Sequence, residues 1–259
     1  MIIGNLNNIG GRFGNKLLYY NNVAQVSNYF NVDYYCNKFN NDHIFEFSNK
    51  NIETLPEYSN SISSKFLIEN KNIKNKEINV LLEPCLGELF FEYTNKSTNE
   101  IFKFKKEYIK NFDTNIISVH FRGGDFHTWE PQSILPVEYY LEAIQESIKL
   151  YDKYEIYLFT DDLNLNSYIS VIDYFKKNNL KYNIGNLNDM ISDFLLISYS
   201  DVVISSPSTF CVTASFCGKE NKKIIHSKKW IKYRILNGDK FWIDLNNGGN
   251  KYYKLFKLI

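Results

Sequence analysis

Downstream of residue 114 the chain alternates between short apolar runs and longer segments with a helical rhythm. Ile116–Phe121 is a largely apolar, β-branched run that predicts a buried strand. Behind Pro136, the segment VEYYLEAIQESIKL places Val137, Tyr140, Leu141, Ile144 and Ile148 on one helical face, and proline suits a first helical turn. Tyr154–Thr160 predicts the next strand, Asp189–Ser198 a helix and Val202–Ser205 a strand. Thr209–Cys217 follows as a helix ended by Gly218, and Lys223–His226 as a strand. Strands alternating with helices imply parallel pairing through right-handed crossovers. Residues 114–228 therefore predict a Rossmann-type half, with polar residues gathered behind each strand, where ligands of such sheets bind.

The first half has a weaker rhythm. Met1–Ile3 predicts a short strand, and IGGRFGN behind it a glycine-rich loop. Lys16–Phe30 carries Leu17, Leu18, Val23, Val26, Tyr29 and Phe30 as a loose helical face. From about residue 36 to 79 the chain is rich in Asn, Ser and Lys with scattered aromatics, and no element is read there. Asn70–Asn79 (NKNIKNKEIN) is the expected exposed excursion; no internal repeat or linker is visible.

Composition narrows the function classes. The 259 residues are 44% hydrophobic and 17% aromatic, enough for a sizeable core in one large domain or two lobes of about 100–150 residues. Thirty basic against 29 acidic residues leave a net charge of +1, so no global field points to nucleic acid or an anionic membrane. The lysine pairs 105–106, 222–223 and 228–229 are expected on solvated faces. Cys36, Cys85, Cys211 and Cys217 have neither C-x-x-C nor metal-ligand spacing, and read as reduced thiols of a cytosolic protein. The N-terminal residues lack the basic and apolar regions of a signal peptide, and no run of about 18 apolar residues could span a bilayer.

Three polar clusters follow strands: His120–Asp125, then Thr160-Asp161-Asp162, then Ser205–Phe210 (SSPSTF). Ser208 and Thr209 fall where a helix begins, so hydroxyls and backbone N–H groups would face an anion together, although an ordinary N-cap uses the same residues. Arg122 supplies what a cap does not, a planar fork matched to phosphate oxygens. Together they suggest a pyrophosphate site. The P-loop pattern, G-x-G-x-x-G and G-x-S-x-G are all absent, which argues against P-loop kinases, typical dehydrogenases and serine hydrolases. Asp161 and Asp162 are adjacent, so in an extended segment they point to opposite faces and share a metal poorly.

Four blocks in order carry a family resemblance. GGRFGNKLLYYNNVAQVS is similar to the N-terminal glycine-rich loop and helix of the α-1,2-fucosyltransferases of glycosyltransferase family 11, and of the related α-1,6- and protein O-fucosyltransferases. VHFRGGDF with LPVEYYLEAI behind it resembles their H-x-R-R-G-D-[YF] block, YLFTDD the second block, and DFLLISYSDVVISSPSTFCVTASF the third. The blocks run from Gly10 to about Cys217. The chain departs from the family pattern at Gly123, which replaces the second arginine; Gly123→Arg is expected to raise GDP affinity if the loop tolerates it.

The resemblance implies an α/β, GT-B-type fold with two Rossmann-like lobes and the donor site in the cleft. Residues 1–110 would form the acceptor-side lobe, and residues 111–259 the nucleotide-sugar-binding lobe. It implies inverting transfer of fucose from GDP-fucose to a glycan hydroxyl, expected in α-1,2 linkage, with no required metal or cofactor. Carried over by position, Arg122 would hold the β-phosphate with Ser208, Thr209 and the N–H of Phe210. His120 and Asp161 or Asp162 would lie near the guanosine. Gly11, Arg12, Gly14 and Asn15 would serve the pyrophosphate or acceptor from the opposite lobe. Asp125 would shape the loop or act as base; Glu130 and a carboxylate of the first half are the other candidate bases. The implied partners are a nucleotide-sugar donor and a glycan acceptor, with no nucleic acid. The expected setting is cytoplasmic, peripheral to a membrane if the acceptor is membrane-borne. Two alternatives use the same motifs: transfer of another nucleotide-activated sugar, and a silent nucleotide- or sugar-binding module.

Overall fold

A computed structural model describes residues 1–10, 12–47, 51–58, 60–62, 79–82, 98–129, 131–186, 188–227 and 256–258. The expected excursion at residues 70–78 lies outside them, as do Gly11, Cys85, Glu130, Trp230 and Trp242. The chain divides into two compact units; the first takes in Met1–Glu107, and the second Tyr108–Tyr233 with the closing strand.

The first unit is a parallel five-stranded sheet of very short strands. These are β1 (Ile2–Gly4), β2 (Tyr34–Asn37), β3 (Asn51–Ile52), β4 (Asn60–Ile62) and β5 (Val80–Leu82), in the order β3-β2-β1-β5-β4. Helix α1 (Phe13–Phe30) connects β1 to β2. It begins three residues earlier than its apolar pattern predicts, because the Arg12 carbonyl accepts the N–H groups of Asn15 and Lys16 at 3.0 and 3.4 Å. Gly14 and Asn15 thus belong to a helical first turn, not to the expected loop. From Leu17 to Ser27 every residue of α1 is buried, including Asn21, Asn22 and Gln25. A helix covered on all sides carries no clean amphipathic face, which explains its loose periodicity. Its Phe13 and Tyr20 pack on the buried Phe45 and Phe102, and Phe45 stacks on Phe104 at 5.0 Å. A short helix, α2 (Thr98–Ile101), precedes Phe102.

The second unit holds a six-stranded parallel sheet. Its strands are β6 (Asn115–Phe121), β7 (Tyr154–Thr160), β8 (Asn183–Ile184), β9 (Val202–Ile204), β10 (Lys223–His226) and β11 (Phe256–Leu258), in the order β11-β10-β9-β6-β7-β8. The helices are α3 (Phe126–Trp129), α4 (Val137–Ile148), α5 (Asn166–Lys177), α6 (Met190–Ser198) and α7 (Thr209–Phe216). β6 lies between β7 and β9, pairing Val119 with Leu158 on one side and Ile204 on the other. The chain order reverses at β6, the position where open α/β sheets bind ligands.

Pro136 is the N-cap residue of α4 rather than part of its first turn. The buried positions of α4 are Tyr139, Tyr140, Ala143, Ile144 and Ser147, while Val137, Leu141 and Ile148 are only partly covered. The helical face is therefore rotated from the expected one. Lys222 also departs from expectation: it is 3% exposed, and its ammonium donates to the carbonyls of Ser198 and Cys217 at the ends of α6 and α7. Cys36, Cys211 and Cys217 are buried free thiols.

Candidate functional site

β6 delivers His120 and Arg122 to the carboxyl end of the second sheet. His120 is buried, with Nδ1 hydrogen-bonded to Ser206 Oγ at 2.7 Å and its ring 6.1 Å from that of Phe210. This contact joins the first polar cluster to the third across the direct β6–β9 pairing. Burial, and secondarily the charge of Arg122, lowers the His120 pKa to about 3. The imidazole is neutral at physiological pH.

Arg122 is 13% exposed and committed on both arms of its fork. One terminal nitrogen donates to Asp161 and the other to Asp125. The guanidinium carbon lies 4.9 Å from the centre of the Phe126 ring. The Gly123 N–H donates to Asp161 Oδ1 at 2.9 Å, so the second cluster joins the first as well. Oxygens held by such a fork in a charge-assisted bidentate pair can be exchanged for those of a phosphate.

Asp161 and Asp162 diverge, as adjacent positions in an extended segment require. Asp162 accepts the Asn164 N–H at 2.9 Å, and its other oxygen lies 2.8 Å from His127 Nε2. These bonds hold Asp162 on His127 and the Asn164 N–H, while Asp161 faces Arg122. The two glycines answer to this pair. A Cβ on Gly123 would stand 2.8 Å from Asp162 Oδ2 and 2.9 Å from its Cβ. Gly124 has φ +36°, and a Cβ there would stand 2.6 Å from Asp161 Oδ2. The close approach that requires glycine is thus made by the aspartates. Gly123→Arg cannot be accommodated without moving Asp162, so the loop does not offer the tolerance on which that expectation depended.

In the third cluster, Ser208 is the buried N-cap residue of α7 and Thr209 opens the helix. The Ser208 side chain makes no capping hydrogen bond. Phe210 packs edge-on against Phe194 with ring centres 5.4 Å apart. The segment is fixed from below by Tyr139, whose buried hydroxyl is 2.7 Å from the Ser205 carbonyl oxygen and 3.1 Å from that of Ile225. Sequence reasoning omitted Tyr139, Ser206 and His127 from the site. The adjacent Tyr139-Tyr140 pair was a visible signal, but periodicity assigned only the second ring to the core.

Of the first-unit candidates, Arg12 is exposed at the N-cap of α1 and Gly14 is buried in its first turn. The Asn15 amide donates to the Gly10 carbonyl at 3.1 Å.

No protein-family model and no curated protein matches the chain. Solved structures do. Fucosyltransferase NodZ from Bradyrhizobium is 12% identical with a TM-score of 0.51, over 83% of this chain and 92% of that one. POFUT1 in complex with GDP is 12% identical with a TM-score of 0.53, over 86% and 96%. A variant of Arabidopsis thaliana FUT1 in complex with GDP is 12% identical with a TM-score of 0.52, over 86% and 69%. The fold is of the GT-B type. This likeness is carried by the path of the chain through two parallel sheets. Among the described residues, no group of three or more His, Cys, Asp or Glu is placed to hold a metal ion. None of their helices is long and apolar enough to cross a membrane.

Proposed function

We propose that the chain is an inverting glycosyltransferase that moves fucose from GDP-fucose to a glycan hydroxyl. One observation carries this reading: His120 and Asp161 tie the three post-strand clusters together around Arg122, in a fold shared with fucosyltransferases. The donor side is assigned to residues 111–259 and the acceptor side to residues 1–110. The four sequence blocks favour an α-1,2 linkage, and the buried free thiols a cytoplasmic setting.

The chemistry follows from charge. As the glycosidic bond breaks, negative charge grows on the β-phosphate. The Arg122 fork, the Ser208 and Thr209 hydroxyls and the N–H of Phe210 are donors of the kind that stabilise it without a metal. The incoming diphosphate exchanges with carboxylate on Arg122. Of Asp161 and Asp162, the one then assigned to the guanosine is Asp161, since Asp162 is engaged by His127 and the Asn164 N–H; His120 serves there as a neutral hydrogen-bonding group. Asp125, released at an exposed position, is a candidate base beside Glu130. Arg12, Gly14 and Asn15 are assigned to diphosphate or acceptor recognition, with Gly11.

The test is calorimetric GDP binding, followed by turnover with a panel of GDP- and UDP-sugars. Arg122→Ala should weaken GDP binding about ten- to a hundredfold, since a charge-assisted hydrogen bond is worth about 1.5–3 kcal/mol. Turnover should fall further, because the interaction strengthens in the transition state. Arg122→Lys should recover only part of either loss. Parent-like GDP affinity and turnover in Arg122→Ala, with circular dichroism intact, would remove Arg122 from the donor site. Turnover with a different donor would reassign the sugar, and GDP binding without any turnover would make the chain a binding module.

A further inference from the structure

The second unit contains a cavity of about 490 Å³ lined by none of the donor-site residues assigned above. It lies where the first turns of α4 and α5 meet the segment behind α3, with His127 on one side. The volume is within the range of about 300–1,000 Å³ found for small-molecule sites. Ser167 lines the cavity at 5% exposure, and its hydroxyl has no hydrogen-bond partner among the described residues. A buried hydroxyl left unpaired is unfavourable, and a ligand oxygen would relieve it. The side chains of Asn164, Asn166 and Ser170 line the same space and make no hydrogen bond among the described residues. The leading N–H groups of α5 lack intrahelical acceptors, and its N-cap residue, Leu165, caps none of them.

The polar groups also indicate the ligand's charge. Among the described residues no Lys or Arg lines the cavity, and Asp162 places a carboxylate on His127 at its edge. An anion would find donors there but would face that carboxylate without a compensating cation. A polyol can use donors and acceptors together, and Leu135, Val137 and Leu165 offer an apolar wall for the C–H face of a pyranose. We propose that this cavity binds a neutral, hydroxyl-rich glycosyl unit of the acceptor, as a subsite separate from Arg122. That the unit belongs to an acceptor, which would then extend past residues 1–110 onto the donor-side lobe, rests on the transferase reading; the binding itself does not.

The four histidines of the chain allow a direct measurement, because His127 lines the cavity while His120 and His226 are buried. Histidine ring signals are followed by NMR, with His127 assigned through His127→Gln. Lactose, maltose, cellobiose and diacetylchitobiose are titrated without donor, and again with saturating GDP. The His127 signal should shift saturably with at least one disaccharide and do so equally in GDP. Ser167→Ala should weaken that sugar about three- to tenfold, as loss of one hydrogen bond implies, with the melting temperature unchanged or raised. Asn166→Ala, at the exposed rim, should weaken it as well and serves if Ser167→Ala folds poorly. The proposal is overturned if no disaccharide moves His127, if inorganic phosphate moves it instead, if GDP abolishes the response, or if the folded variants bind sugar like the parent. Sugar binding without turnover of any nucleotide sugar would keep the subsite and remove the transferase reading.

Discussion

At Arg122 the proposed donor role meets a direct test, since the fork assigned to phosphate is held by carboxylates in the structure. Asp125 is 56% exposed, so its pairing with Arg122 is worth at most about 1 kcal/mol. Asp125→Asn should therefore tighten GDP by no more than about fivefold, in calorimetry at low salt. The same variant separates the two roles open to Asp125. If it only shapes the loop, kcat follows the parent; if it is the base, kcat falls while KM for the donor does not rise. Weaker GDP binding in Asp125→Asn would mean that the carboxylate orders the arginine instead of competing for it. Gly123 makes a different prediction. Its added Cβ would meet Asp162 Cβ at 2.9 Å as well as the terminal Oδ2 at 2.8 Å, so turning the carboxylate alone does not clear the contact. Gly123→Ala should lower stability by about 1–3 kcal/mol, the usual cost of overpacking, and Gly123→Arg should not raise GDP affinity. Denaturant unfolding with parent-like midpoints would show that the Asp161-Asp162 turn moves freely.

Among the elements, the legible ones are those whose burial is one-sided or complete over enough residues. β7 and β10 have the bounds that their apolar runs predict, and Asp189 sits as the N-cap of α6, accepting the Ser192 N–H at 3.0 Å. In the first unit β1 was legible to within one residue, as Met1–Ile3, but β2 to β5 were not, because runs of so few residues, such as Asn51–Ile52, cannot display an alternation. Helix α5 went unread although Tyr168, Val171 and Phe175 sit on its buried face at helical spacing. Of the site, the three clusters were visible as polar residues behind strands, but pairing choices such as Asp161 with Arg122 and Asp162 with His127 depend on three-dimensional approach. Lys222 shows the same limit: a charged residue beside another lysine reads as solvated, yet it closes the ends of two helices. The Ser198 carbonyl keeps a second donor in the Lys219 N–H at 2.9 Å, so the Cys217 carbonyl is the one exposed to loss. Lys222→Met should cost about 1–3 kcal/mol, the penalty of one buried unsatisfied acceptor. A parent-like unfolding midpoint would show that the carbonyl finds another donor.

For the whole molecule, buried bases should govern stability in acid. His120 and His226 are fully enclosed, and burial lowers their pKa values to about 3 and about 4. An unfolded histidine titrates near 6.5, so between that value and the folded pKa the unfolded chain binds more protons than the native one. The slope of unfolding free energy with pH is then positive. The stability that the two neutral histidines contribute is complete above about pH 6.5 and is lost as pH falls through the folded values. Asp193 opposes them: burial, with the neighbouring charge of Asp189 as a lesser cause, raises its pKa to about 6, so its contribution falls as pH rises from 3.8. That carboxyl is partly exposed and its effect is screened accordingly. Two buried imidazoles at about 1.4 kcal/mol per pKa unit outweigh it. Melting temperature should therefore climb from pH 4 to pH 7. His226→Asn, which removes one buried base without touching the donor cluster, should flatten the climb while lowering the plateau. A melting temperature that stays level or falls over this interval would show that His120 and His226 reach solvent or protonate inside the fold.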